Sequence, residues 1–139
     1  VCMKPIPIGT KGSVTVTVEE GSLASSTGSG GVDVFSTPCL VLLMEEAAVE
    51  ALQGYLDERE TTVGTHICID HIAATPLGLQ ITADAEVTQI DGRKLTFAVT
   101  AHDDLELIGK GVHERFLVDR EKFTSKSLRK IDIHKDSHI

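Results

Sequence analysis

The stretch Thr37–Leu56, TPCLVLLMEEAAVEALQGYL, decides the fold. Its opening is a helix start. Thr37 reads as the N-cap and Pro38 as the first helical residue, where proline's missing N–H would be unpaired in any case. The next two turns, Cys39–Met44, are apolar almost all round. A helix of that kind lies inside a protein rather than on its surface. Gly54 and the charged run from Asp57 mark its end.

Outward from the helix, the sequence is mostly strand. Before it, Ser13–Val18 (SVTVTV) alternates small polar and β-branched residues and predicts a first strand. Residues 27–31 (TGSGG) form a flexible loop. After it, Thr65–Ala74 is a candidate strand, and Thr75-Pro76-Leu77-Gly78 a turn. Leu79–Ile90 places Ile81, Ala83, Ala85 and Val87 on one face. Asp91-Gly92 suits a two-residue hairpin turn, and Leu95–His102 returns with Leu95, Phe97, Val99 and Ala101 aligned. A last strand runs from about Ile108 to Val118. One strand, one buried helix and then four strands in a meander predict an α+β hot-dog fold: an antiparallel sheet of about five strands wrapped around one long helix. An open sheet has edges that invite pairing, so a homodimer joining two sheets is expected.

The 139 residues suit one domain, read as 1–123, with 124–139 a polar, loosely ordered tail. The longest apolar run, Cys39–Met44, is far short of the roughly 20 residues that span a bilayer. A secretory leader pattern is absent from the sequence given. The net charge of −8 argues against nucleic acid as a partner. It leaves room for a phosphate-bearing ligand held by a few local Arg or Lys residues. Cys2, Cys39 and Cys68 are odd in number and widely spaced, which fits neither a disulfide framework nor a zinc ribbon. A reducing, cytoplasmic setting is expected.

Several residues can carry chemistry. In HICIDHIAA, His71 shares a strand face with Ile67, Ile69 and Ala73, pointing to the helix side. It is either a core histidine satisfied by one hydrogen bond or a general base titrating near neutral pH. Glu45 and Glu46 interrupt the apolar helix; Glu45 is the harder to place at the surface, and a buried carboxylate needs a partner. Thr37 has a full account as a cap, yet its hydroxyl also lies at a helix N-terminus that favours developing negative charge. Gly64 either makes a turn or lets a substrate approach the backbone. His66, Cys68 and Asp70 share the opposite strand face but lack a structural zinc spacing. Gly109, Gly111, His113, Arg115 and Leu117 share one face of the last strand, where Arg115 can bind a carboxylate or phosphate or join a cross-strand ion pair.

Three blocks carry a resemblance: VFSTPCLVLLMEEAAVEAL, VGTHICIDHIAATPLGL and IGKGVHERFLVDREKF, from about Val34 to Phe123. Together they resemble the fluoroacetyl-CoA thioesterase family of hot-dog proteins. The pattern is Val-Phe-x-Thr before the helix, Glu eight residues on, and Gly-Thr-x-Ile-Cys-x-x-His-x-Ala-Ala-Thr-Pro. The resemblance implies catalytic Thr37, Glu45 and His71, an active-site glycine at Gly64, and active-site or coenzyme A contacts by Arg115. The family's fluoroacetate-specific enzyme covers its acyl pocket with phenylalanines in the loop before Val-Phe-x-Thr. Here that loop reads STGSGGVD and cannot form the same apolar lid, so fluoroacetyl selectivity is not expected to carry over.

The expectation is hydrolysis of a short or small acyl-CoA thioester to free acid and coenzyme A, at a site where two subunits meet. His71 acts as base, Thr37 and Glu45 as a hydrogen-bonded acid or nucleophile pair, and backbone N–H groups near Gly64 hold the oxyanion. Neither metal nor separate cofactor is expected. The rival readings are a hot-dog acyl-CoA hydratase or dehydratase, which would form enoyl-CoA, and a non-catalytic acyl-CoA or small-ligand binder, which would not turn over.

Overall fold

The computed structural model describes residues 5–137. Strand β1 (Lys11–Thr17) leads through a 3-10 turn and the short helix α1 (Ala24–Thr27) into helix α2 (Thr37–Ala51). Strands β2 (Glu60–His71), β3 (Gln80–Asp91), β4 (Lys94–Asp103) and β5 (Leu107–Asp119) follow, then helix α3 (Arg120–Asp136). The five strands form one antiparallel sheet in the order β1-β3-β4-β5-β2.

Helix α2 buries Leu40, Leu43, Met44, Ala47, Ala48 and Ala51. Facing it are Ile81, Ala83, Ala85 and Val87 of β3 and Leu95, Phe97, Val99 and Ala101 of β4, all buried as their two-residue alternation predicts. The small residues let the backbones approach. At Gly12 of β1, an added Cβ would overlap Ala51 N and Ala47 O of the helix. Gly12→Ala is therefore expected to lose about 1–3 kcal/mol of stability, because the obstruction is backbone and cannot rotate away. A urea midpoint equal to that of the parent protein would contradict this close approach.

The structure corrects six expectations. The meander holds for β3-β4-β5, but β2 lies beyond β5 at the sheet edge. Alternation says which face of a strand is buried, not which strand lies beside it. Strand β2 also begins earlier and ends sooner than Thr65–Ala74. The helix cap is Ser36, not Thr37: the extended Ser36 accepts from the Cys39 N–H through its side chain (3.3 Å) and from the Leu40 N–H through its carbonyl (3.0 Å). The hairpin turn is Gly92-Arg93, with Gly92 at φ +60°, since Asp91 already pairs with Lys94. The tail, read as loose, is helical through α3, capped by Asp119 on the Lys122 N–H and without a buried residue. Helix α2 is not buried all round either; Leu42 is 55% and Val49 40% exposed.

One irregularity positions the site. Between Gly64 and His66 the β2–β5 register shifts, as at a β-bulge. The extra residue changes the parity of the strand. Glu60 and Thr62 face the core before it, and Ile67, Ile69 and His71 turn to the same side after it.

Candidate active site

Thr37 occupies the first position of α2, and its Oγ1 lies 2.8 Å from His71 Nδ1 at the end of β2. Capping by Ser36 is what frees the Thr37 hydroxyl for this contact. The other ring nitrogen, Nε2, is buried and has no hydrogen-bond partner among the described residues. Burial lowers the His71 pKa below 6.5, and the backbone of Ala73 opposes this more weakly. The ring is thus held neutral with Nδ1 against an exposed hydroxyl. With the ring proton on Nε2, Nδ1 accepts from the Thr37 O–H. That is the geometry of a hydroxyl and its base.

A second group of residues lies farther along the same helix and strand. Glu45 Oε2 is 3.8 Å from Arg115 Nη1 on β5. Arg115 is 7% exposed and is fixed on other sides: Nε donates to Thr62 Oγ1 (2.8 Å), Nη2 to the Thr62 carbonyl (3.0 Å), and Nη1 lies 3.2 Å from His113 Nε2. Burial disfavours the guanidinium charge, and the Glu45 carboxylate offsets part of that. Gly64 sits between these groups. A Cβ there would stand 3.1 Å from Glu45 Oε2 and 3.3 Å from His113 Cε1. The glycine lies inside the strand at the bulge rather than at its mouth, and its missing side chain keeps the face of Glu45 open.

The five residues expected at the site therefore fall into two sets within one chain. Thr37 joins His71; Glu45 joins Gly64 and Arg115. Thr37 and Glu45 do not pair with each other, because eight helical residues separate them by about 12 Å of rise. Helix α2 and strand β2 run antiparallel, so one set lies at each end of their contact. Thr62 and His113 complete the second set and were not singled out as site residues. His113 was visible on the Arg115 face by its two-residue spacing; Thr62 had no signal before the bulge and the β2–β5 pairing were known. Among the described residues, no group of three or more His, Cys, Asp or Glu side chains is placed to hold a metal ion.

A cleft of about 300 Å³ opens at Thr37 and His71, walled by Ala24, Ser29, Val34, Ala73 and Ala74 with Phe35 behind. Its walls are mostly small residues, with Phe35 and Ile72 the bulky exceptions, and Ser29 comes from the loop that lacks aromatic side chains. Beside α2 a second cleft is lined by Glu45, Leu42, Val49 and Arg115.

Residues 18–121 match the family model described as fluoroacetyl-CoA-specific thioesterase, FlK. A fluoroacetyl-CoA thioesterase of Streptantibioticus cattleyicolor is 46% identical over 98 residues, 70% of each chain. A solved structure of the fluoroacetyl-CoA thioesterase FlK superposes with a TM-score of 0.85 at 35% identity, covering 91% of this chain and 98% of that one. A thioesterase superfamily member of Thermus thermophilus has the same fold, with a TM-score of 0.87 at 24% identity over 97% of this chain and 99% of its own. The five-stranded sheet around α2 is thus the hot-dog fold, and the chain belongs to the fluoroacetyl-CoA-specific thioesterase family.

Proposed function

We propose that this protein is a thioester hydrolase that cleaves a small acyl-CoA to the free acid and coenzyme A. The observation that carries the reading is the 2.8 Å contact between Thr37 Oγ1 and His71 Nδ1 at the mouth of the small-walled cleft. The attacking oxygen, of Thr37 or of a water bonded to it, loses its proton to His71 Nδ1 and adds to the thioester carbonyl. The positive N-terminal end of α2, and the amides near Gly64 of a second copy, stabilise the charge that develops on the carbonyl oxygen. Collapse of the adduct breaks the C–S bond, and the departing thiolate takes the proton from His71; where Thr37 is the attacking oxygen, a water activated by His71 then hydrolyses the acyl ester to the free acid. Glu45, fixed by Arg115, supplies the second acid–base or nucleophilic group. Coenzyme A enters only as part of the substrate, and the proposed reaction draws on no cofactor.

The working unit in this reading is a homodimer. Strand β2 is twelve residues long and lies at an edge of the sheet, and α2 leaves Leu42 and Val49 exposed beside it. Antiparallel pairing of β2 with β2 of a second copy brings the His71 end of one strand alongside the Gly64 end of the other. The Thr37–His71 set then meets the partner's Glu45–Arg115 set. That arrangement supplies the pairing that a single chain lacks.

The acyl specificity follows from the walls. Without aromatic residues in the loop, nothing recognises a fluorine in preference to a hydrogen or a methyl group. A panel of acyl-CoA thioesters, followed by a free-thiol reagent, is expected to show turnover of several small acyl groups. Their kcat/KM values should lie within about 200-fold of fluoroacetyl-CoA, the upper end of what an apolar pocket achieves for one methylene. Thiol release from none of the panel would overturn the hydrolase reading. Formation of enoyl-CoA, seen by its ultraviolet absorbance, would favour the hydratase.

A further inference from the structure

Arg115 is held in a buried pocket by a chain of hydrogen bonds that begins at the bulge. The carbonyl oxygen of His66 can only accept, and it lies 2.8 Å from His113 Nδ1. Nδ1 therefore carries a proton. In a neutral ring, Nε2 then carries the lone pair, and it faces Arg115 Nη1 at 3.2 Å. The ring is 1% exposed and stacked on Phe97 of β4, with centroids 6.2 Å apart, so it cannot turn aside. Thr62 fixes the other edge of the guanidinium. The direction left to Nη1 is towards Glu45 and the open α-carbon of Gly64.

We infer that His113 is a positioning residue for the thioesterase reaction: as the neutral Nδ1–H tautomer it anchors Arg115 to the β2 bulge, so that the guanidinium is aimed at Glu45. The inference rests on the proposed function for its catalytic consequence, but the anchor is a property of the folded chain. The groups facing His113 agree with a neutral ring. Burial and the Arg115 charge disfavour its cation, while the His66 backbone and Glu45 of α2 favour it; the His66 ring adds to the first side, and on β4 the ring meets the uncharged Phe97. Burial outweighs the rest, and the pKa lies below 6.5. Protonation would place an Nε2–H against Arg115 and break the anchor.

Nuclear magnetic resonance of the intact protein tests the anchor without activity. Long-range ¹H–¹⁵N spectra at neutral pH should show His113 protonated at Nδ1 and bare at Nε2. The Arg115 Nη protons should show slowed rotation of the guanidinium. His113→Leu, which keeps the ring's apolar contacts in part but offers no acceptor, should restore fast rotation and lower kcat/KM about tenfold or more, the effect of losing a hydrogen bond to a charged group. His113→Gln offers an acceptor without a titrating ring and should recover both the slow rotation and most of the activity. The wild-type spectrum needs no variant, so a failure of His113→Leu to fold does not remove the test. A proton on Nε2 at neutral pH, or unchanged Arg115 rotation in folded His113→Leu, would overturn the inference. Altered rotation with unchanged thiol release would uphold the anchor and reject the catalytic placement of Arg115.

Discussion

His71→Ala is expected to reduce thiol release by at least about 100-fold while leaving the circular dichroism and the oligomer mass unchanged. General-base catalysis contributes roughly 10²–10⁴ in rate, and no other neutral base lies against Thr37 in the described chain. The loss should fall on kcat, since the ring acts on the proton that moves in the transition state. The pH profile gives an independent check. A base works when it is neutral, and burial lowers the pKa of His71 below 6.5. The neutral form therefore persists into mildly acidic solution, and kcat/KM should stay level near pH 7 and fall with a midpoint below 6.5. Wild-type turnover in His71→Ala, or an acid midpoint above 6.5, would remove His71 from this role.

Mixing two inactive variants should restore activity. Glu45→Gln removes the carboxylate that faces Arg115, and alone is expected to be as impaired as His71→Ala. In the proposed dimer each site takes His71 from one chain and Glu45 from the other. A heterodimer of His71→Ala with Glu45→Gln then contains one doubly damaged site and one intact site. Random reassortment makes half the dimers mixed, so about one quarter of wild-type activity should return. If each site lay within one chain, every site in the mixture would lack one group and nothing would return. The test separates the two arrangements without a substrate complex. It matters because the intrachain geometry keeps Thr37 and Glu45 about 12 Å apart along the helix.

Much of the fold was legible because two periodicities are distinct. The apolar run Cys39–Met44 behind Ser36-Thr37-Pro38 could only be a helix entering a core, and the alternation through Ile81–Val87 and Leu95–Ala101 fixed the two strand faces that meet it. Net charge, the spread of the cysteines and the lack of a long apolar run limited the classes of function. The candidate site residues stood out one by one: a glutamate interrupting an apolar helix, a histidine in step with isoleucines, a threonine at a helix start. Their joint spacing named the family.

What remained belonged to contacts between distant segments. The local sequence placed the cap on Thr37, but the cap is Ser36, and the Thr37 hydroxyl meets His71, 34 residues away. Alternation could not choose the neighbour of β2, since a strand buries the same face beside β3 or beside β5; the closure of the sheet around α2 decided for β5. Nor could it reveal the bulge at residues 64–66, where one extra residue moves Gly64 and His71 onto the same side of the strand. With that bulge came the anchoring of Arg115 by Thr62 and His113, and the division of the expected site into two sets. Sequence determined which residues are candidates for the chemistry, because residue type and local period are written into the chain. Tertiary structure alone decided which of them meet, because pairing partners and parity depend on how separate strands close on one another.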